Sequence, residues 1–192
     1  MIDTDYFPIS TPGDYIEFGV ALGGSFVQII QFMYEHSLFE SRRLFGFDSW
    51  EGLPEEIPGL TTRPDWYPGN FKYSLIDCRL KINKYLLDRK IPLEKIILVP
   101  GWFKNTLNKD LGIAQVAFAN IDVDLYSSCN QVLEFLKDLL VPGSIIRFDD
   151  WTTEEEGEWR SFNEFKIRYP NMLFEVLSRI NTEIVIKYVG RR

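Results

Sequence analysis

Two hydrophobic patterns alternate along the chain, short continuous apolar runs and longer stretches with apolar residues at helical spacing. Residues 15–20, 44–48, 95–99, 115–121 and 144–148 are apolar runs bounded by glycine, proline or acidic residues, the pattern of strands buried on both faces. Between them, Phe26, Ile30 and Met33 mark one face of a helix over 24–39, and a second helix is predicted over 73–89. A third is striped by Val132, Leu136 and Leu140. It is expected to start at an N-cap Ser127 or Ser128 and to stop at Pro142-Gly143. A fourth is predicted over 157–169. Two last strands, 173–179 and 183–189, are joined by a few residues around Asn181, too few for a parallel crossover, so they pair antiparallel. The stretch EGLPEEIPGLTTRPDWYPGN, 51–70, is too broken for any element and reads, up to residue 72, as a surface loop or lid. The fold expected is therefore α/β: a Rossmann-like three-layer sandwich whose seven-stranded, mostly parallel sheet ends in an antiparallel hairpin.

Composition narrows the partners. The chain has 192 residues, enough for one full domain, and with 45% hydrophobic and 15% aromatic residues it is globular. A net charge of -7 without a basic cluster argues against nucleic acid and for a small-molecule ligand. The start MIDTDYFPIS lacks the basic and apolar regions of a signal peptide, and no run reaches the roughly 20 apolar residues that span a bilayer. A cytoplasmic protein without membrane association is expected. Cys78 and Cys129 show no C-x-x-C spacing and read as reduced packing residues, not as a disulfide or zinc site. A homodimer is left open.

In a parallel sheet, ligands bind outside the carboxyl ends of the strands, and the conspicuous polar residues fall there: Glu17, Gly19, Asp48, Gly101, Trp102, Asp122, Asp124, Asp149 and Asp150. The first strand and turn, YIEFGVALGGSF, do not fit the G-x-G-x-x-G spacing that admits a pyrophosphate. S-adenosylmethionine has no phosphate but carries a sulfonium, an ammonium and a carboxylate. An acid beside glycines suits it: Glu17 can face the ammonium directly or through water, the turn from Gly19 to Gly24 can cradle the methionine part, and Asp48 can accept both ribose hydroxyls. Trp102 can stack on adenine, or can equally be a core tryptophan.

The stretches NIDVDLYSS and RFDDW set carboxylates at the ends of two successive strands, which a parallel sheet brings side by side. Unpaired, Asp122, Asp124, Asp149 and Asp150 would repel and raise one another's pKa, so a cation between them is the natural remedy. Oxygen donors without histidine or cysteine favour Mg²⁺, Ca²⁺ or Mn²⁺. The competing reading has Asp124 and Asp150 capping turns while Asp122 and Asp149 are solvated.

The blocks IEFGVALGGS, LFGFDSWEGLP, PGWFKNTL, IDVDLYSS and FDDW together resemble, in order and spacing, the macrocin O-methyltransferase (TylF-like) family of class I methyltransferases. The resemblance covers residues 13–151. It implies S-adenosylmethionine as donor and S-adenosylhomocysteine as product, with Glu17, Phe18, Gly19, Gly23, Ser25, Asp48, Ser49, Gly101, Trp102 and Asp122 around the donor. It also implies a divalent metal, usually magnesium, held by Asp122, Asp124, Asp149 and Asp150, and a hydroxyl of a sugar or other small natural product as acceptor. Asp122 and Asp124 are the candidate catalytic residues.

The chain departs from the family in three ways. Members usually carry a longer region before the first strand. Several place a catalytic histidine before the third strand, whereas the single histidine here, His36, sits at the end of the first helix. Arg147 interrupts an otherwise apolar strand and calls for an acid or ligand as partner. Two rivals are weighed. A non-catalytic binding module would keep the donor loop and lose the metal site. An NAD-dependent oxidoreductase would need a phosphate-binding turn and a hydride-transfer site, which the chain does not show.

Overall fold

A computed structural model describes residues 3–87, 89, 91–152 and 155–192. The chain runs β1 (Asp14–Phe18), α1 (Gly24–Glu35), β2 (Leu44–Asp48), α2 (Leu75–Leu86), β3 (Ile96–Pro100), α3 (Phe103–Thr106), β4 (Val116–Ile121), α4 (Tyr126–Leu136), β5 (Leu140–Phe148), α5 (Gly157–Arg168), β6 (Met172–Ile180) and β7 (Glu183–Arg191). The strands form one seven-stranded sheet in the order β3-β2-β1-β4-β5-β7-β6. Pairing is parallel from β3 to β5, and β7 is antiparallel to both β5 and β6. The predicted architecture is the one found. Chain order reverses between β1 and β4, which opens a crevice at their carboxyl ends.

Each face of the sheet is covered by its own apolar layer. Phe26, Ile29, Ile30 and Met33 of α1, with Cys78, Ile82 and Leu86 of α2, pack on Tyr15, Leu44 and Phe118. On the other face Cys129, Val132 and Leu136 of α4, with Phe162 and Phe165 of α5, pack on Ile16, Phe18, Phe47 and Phe148. Both cysteines are free, buried thiols.

Four boundaries differ from expectation. The first helix ends at Glu35, and Leu38–Glu40 forms a separate 3₁₀ turn after Ser37 takes a left-handed conformation (φ 55°). Helix α4 has no serine cap: Leu125 occupies the N-cap position, and the Ser127 N–H donates to Glu56 Oε2 at 3.0 Å, so a distant acid satisfies the helix end. Pro142-Gly143 does not stop that helix, which ends at Leu136. The pair lies inside β5, between Leu140 and Ile145, where the register against β4 shifts. A proline that owes no ladder hydrogen bond is tolerated in such a bulge. Helix α2 is shorter than predicted, ending at Leu86; Asp88, within its predicted span, lies outside the described residues.

Candidate active site

The crevice holds a cleft of about 270 Å³ lined by residues that include Gly19, Asp48, Ser49, Gly101, Trp102, Asp122 and Asp124. Its floor depends on the close approach of two loops. Gly19 sits at φ 85°, and a Cβ there would lie 1.7 Å from the Asp122 carbonyl oxygen. Only glycine lets the turn after β1 lie against the end of β4.

On the β2 side, Asp48 is locked by backbone. Its Oδ2 accepts the Ala21 N–H at 2.8 Å, its Oδ1 accepts the Trp50 N–H at 2.6 Å, and the Trp50 indole N–H returns to the Ala21 carbonyl at 2.9 Å. Asp48 thereby ties the β1 and β2 turns together while keeping a face on the cleft. Trp102 lines the cleft and is only half-buried, which separates it from the core tryptophans Trp50 and Trp151.

Glu17 is placed differently. It is fully buried and does not line the cleft, and neither do Gly23 or Ser25. The Asn120 amide donates to Glu17 Oε1 at 2.8 Å, the Ser25 hydroxyl acts on the same carboxyl, and Oε2 has no hydrogen bond of ordinary geometry. Burial pushes its pKa up to about 8, against the opposing effects of Ser25 and Asn120. Phe18 points into the core beneath the cleft, stacked on Phe47.

The ends of β4 and β5 bring the aspartates together, though not as a symmetric four. Asp122, Asp149 and Asp150, all half-buried, each offer one carboxylate oxygen within 4.8 Å of the others. Three convergent oxygens without nitrogen or sulfur fit a hard divalent cation. Asp124 stands outside this trio, in a left-handed conformation (φ 57°), with its carboxyl against Asp150. Burial pushes the Asp122 carboxyl up to about 8, with Asp149 and Asp150 adding and Arg147 opposing. Burial likewise raises Asp124 and Asp150, and Asp150 adds to the shift of Asp124.

Several residues that organise this edge had no signal in the sequence. Glu158, fully buried on α5, accepts the Val123 N–H at 3.0 Å with one oxygen and the Asp150 N–H at 3.1 Å with the other, clamping the two acidic turns together. Glu156 accepts the Thr62 N–H at 2.8 Å and pairs with Arg63, whose guanidinium lies 4.8 Å from the centre of the Trp66 ring. With Glu56 on Ser127, these contacts dock the 51–70 loop on the acidic side of the cleft. The loop is closed at its base, where Leu53 N–H donates to Asn70 O at 2.8 Å and Gly69 N–H to Leu53 O at 2.9 Å. A Cβ on Gly52 (φ 89°) would come within 2.6 Å of the Gly69 and Asn70 carbonyl oxygens, so the closure requires glycine there. Of the aromatics at the loop, Phe71 lines the cleft, Trp66 is buried with Leu53 and Leu125, and Tyr67 is exposed. In the stretch after Trp151, TTEEEGEW, Thr153 and Glu154 lie outside the described residues.

Comparison with known proteins decides the family. The model of the macrocin O-methyltransferase (TylF) family matches residues 8–185. The chain belongs to the macrocin O-methyltransferase family. One relative, the 8-demethyl-8-(2,3-dimethoxy-alpha-L-rhamnosyl)-tetracenomycin-C 4'-O-methyltransferase of Streptomyces olivaceus, is 32% identical over 149 residues. A second, the demethyldecarbamoylnovobiocin O-methyltransferase of Streptomyces niveus, is 29% identical over 154 residues. In both cases 74% of this chain is matched, and the match spans 54% of the relative, about half its length. Among solved structures, the calicheamicin methyltransferase CalS11 superposes with a TM-score of 0.77 at 22% identity, covering 93% of this family member and 73% of CalS11. The O-methyltransferase NovP gives 0.77 at 21%, covering 94% and 73%. These two structures share the fold.

Proposed function

We propose that this member of the family transfers a methyl group from S-adenosylmethionine to a hydroxyl of a sugar-bearing natural product, with a divalent cation, magnesium or similar, at the trio of aspartates. One observation carries this reading: Asp122 both lines the cleft beside Asp48 and Trp102 and forms a corner of the acidic trio, so donor and cation sites share a wall. The names of the two relatives, an O-methyltransferase of a rhamnosyl-tetracenomycin and one of demethyldecarbamoylnovobiocin, support a glycosidic acceptor.

In this mechanism Asp48 accepts the ribose hydroxyls, Trp102 covers the adenine, and the turn at Gly19 lets the methionine part lie against the backbone. Asp122, Asp149 and Asp150 would hold the cation, whose charge would favour the acceptor's alkoxide over its alcohol. Asp124 faces the cleft just outside the trio, and its raised pKa suits a base. It takes the hydroxyl proton as the oxygen bonds to the methyl carbon and the sulfonium becomes a thioether. Most of the acceleration comes from holding the two reactants in line. The loop at 51–70 closes over the acceptor.

The test is S-adenosylhomocysteine release from S-adenosylmethionine on a panel of glycosides, with and without excess chelator, beside calorimetric binding of S-adenosylhomocysteine and NAD. Acceptor-dependent release that stops on chelation and returns with Mg²⁺ is expected. Binding of NAD in preference to S-adenosylhomocysteine would overturn the donor assignment, and full activity in chelator would overturn the cation's role.

A further inference from the structure

Arg147, a charge within an otherwise apolar strand, takes no direct part in methyl transfer. In the structure its guanidinium is buried inside the sheet and engaged on three sides. Nη1 donates to Asn120 Oδ1 at 2.7 Å, Nη2 contacts Asp149 Oδ1, and Nη2 and Nε reach the two Glu183 oxygens at 2.9 and 3.2 Å. A guanidinium can only donate, so it fixes which end of the Asn120 amide faces it. The carbonyl oxygen must turn to Arg147, and the amide nitrogen is thereby turned to Glu17 Oε1. The same cation on β5 thus sets both the donor-side acid, across β4, and an oxygen of the acidic trio.

We propose that Arg147 is a positioning residue for the donor's amino-acid part: through Asn120 it holds the Glu17 carboxylate beneath the turn at Gly19, with one oxygen left for the ligand's ammonium or the Ser25 hydroxyl. Glu17 Oε2 is the observation that points to a ligand: it does not line the cleft, but it is a fully buried oxygen without a hydrogen bond of ordinary geometry, two residues before the cleft-lining Gly19, so an ammonium would meet it past that turn or through water. Unmet buried acceptors are costly and rare, and an ammonium placed above this turn would compensate one. Lysine cannot replace the arginine, because one ammonium cannot hold Asn120, Asp149 and Glu183 in the plane of a fork.

The inference rests on the cleft being the S-adenosylmethionine site, and two ligands separate the two ideas. S-adenosylhomocysteine carries the ammonium and carboxylate; 5′-methylthioadenosine keeps the nucleoside and lacks both. Calorimetry on the whole chain is expected to show Arg147→Lys and Arg147→Met binding S-adenosylhomocysteine at least about fivefold more weakly, with 5′-methylthioadenosine changed less than about twofold. Asn120→Asp keeps an ion-pair partner for Arg147 but replaces the amide donor to Glu17 with a carboxylate oxygen that repels it. It should show the same selective loss, and it carries the test if Arg147→Met does not fold. Equal weakening of both ligands would make Arg147 a merely structural residue, and unchanged affinity for both would equally overturn the proposal. A wild-type chain that binds the two ligands equally well would show that Glu17 is not engaged. One that binds neither would instead remove the donor-site reading itself.

Discussion

At the end of β2 the Asp48 carboxylate already holds two backbone N–H groups, whereas at the ends of β4 and β5 the carboxyls of Asp122, Asp149 and Asp150 converge on one another. The first half of the cleft is organised by its own main chain. The second is organised in position, by Glu158 and the sheet register, yet unfinished in charge, since Arg147 reaches only Asp149 among these acids. The contrast separates two tasks. A donor that is chemically the same in every turnover can be met by a preformed surface. A reaction that develops negative charge on an acceptor oxygen calls for a place where positive charge is wanted beforehand.

The sharpest way to break this comparison is to remove charge from the unfinished half. Asp150→Asn is expected to lower methyl transfer on the order of 100-fold while leaving S-adenosylhomocysteine affinity nearly unchanged, because the proposed cation site would lose a ligand and the proposed donor wall would not. Parallel loss of donor binding would show that the two halves are not separable. The converse is Asp48→Ala, which should weaken S-adenosylhomocysteine binding by about tenfold, or about 1.4 kcal/mol, in calorimetry. It should leave Mn²⁺ affinity intact, and a drop in Mn²⁺ affinity would count against the division.

The smallest effect is one of pH. Asp122 and Glu17 are both pushed up to about 8, so between roughly pH 4 and 8 the folded chain keeps protons that the unfolded chain has released. Stability without a divalent ion should therefore fall as pH rises through that window. A cation must displace the Asp122 proton, so its stabilising effect should grow in the same direction. Thermal melts at pH 6 and pH 8, with and without Mg²⁺, are expected to show a melting temperature that falls by a few degrees without the ion and an ion-induced gain that is larger at pH 8. A gain of equal size at both would place the cation away from Asp122.

What could be read from the sequence was what neighbours in the chain decide. β2 was found at Leu44–Asp48 as predicted, and the hairpin around Asn181 followed from its short connection; in the structure Asn181 takes a left-handed conformation (φ 53°). The side-by-side aspartates followed from two adjacent parallel strands. What escaped was decided by partners far along the chain. Glu56 caps α4 from 71 residues away, Asn120 meets Glu17 across 103, and Glu158 reaches Val123 across 35. No local pattern marks an acid as the partner of a distant N–H. Pro142-Gly143 misled for a related reason: the dipeptide ends helices and also sits in strand bulges, and only the register against β4 tells which.

The cinched base of the 51–70 loop has a consequence for how new specificities could arise. Reciprocal bonds between Leu53 and the Gly69–Asn70 pair hold the two ends together whatever lies between them. The entropy of closing a loop grows only slowly with its length. Residues 57–61, between the docking contacts of Glu56 and Thr62, therefore form the exchangeable part: a longer or shorter insert there would leave Asp48 on one side and α2 on the other undisturbed. Selection, or an engineer, can rewrite that wall of the proposed acceptor pocket while Asp48 and the turn at Gly19 stay as they are.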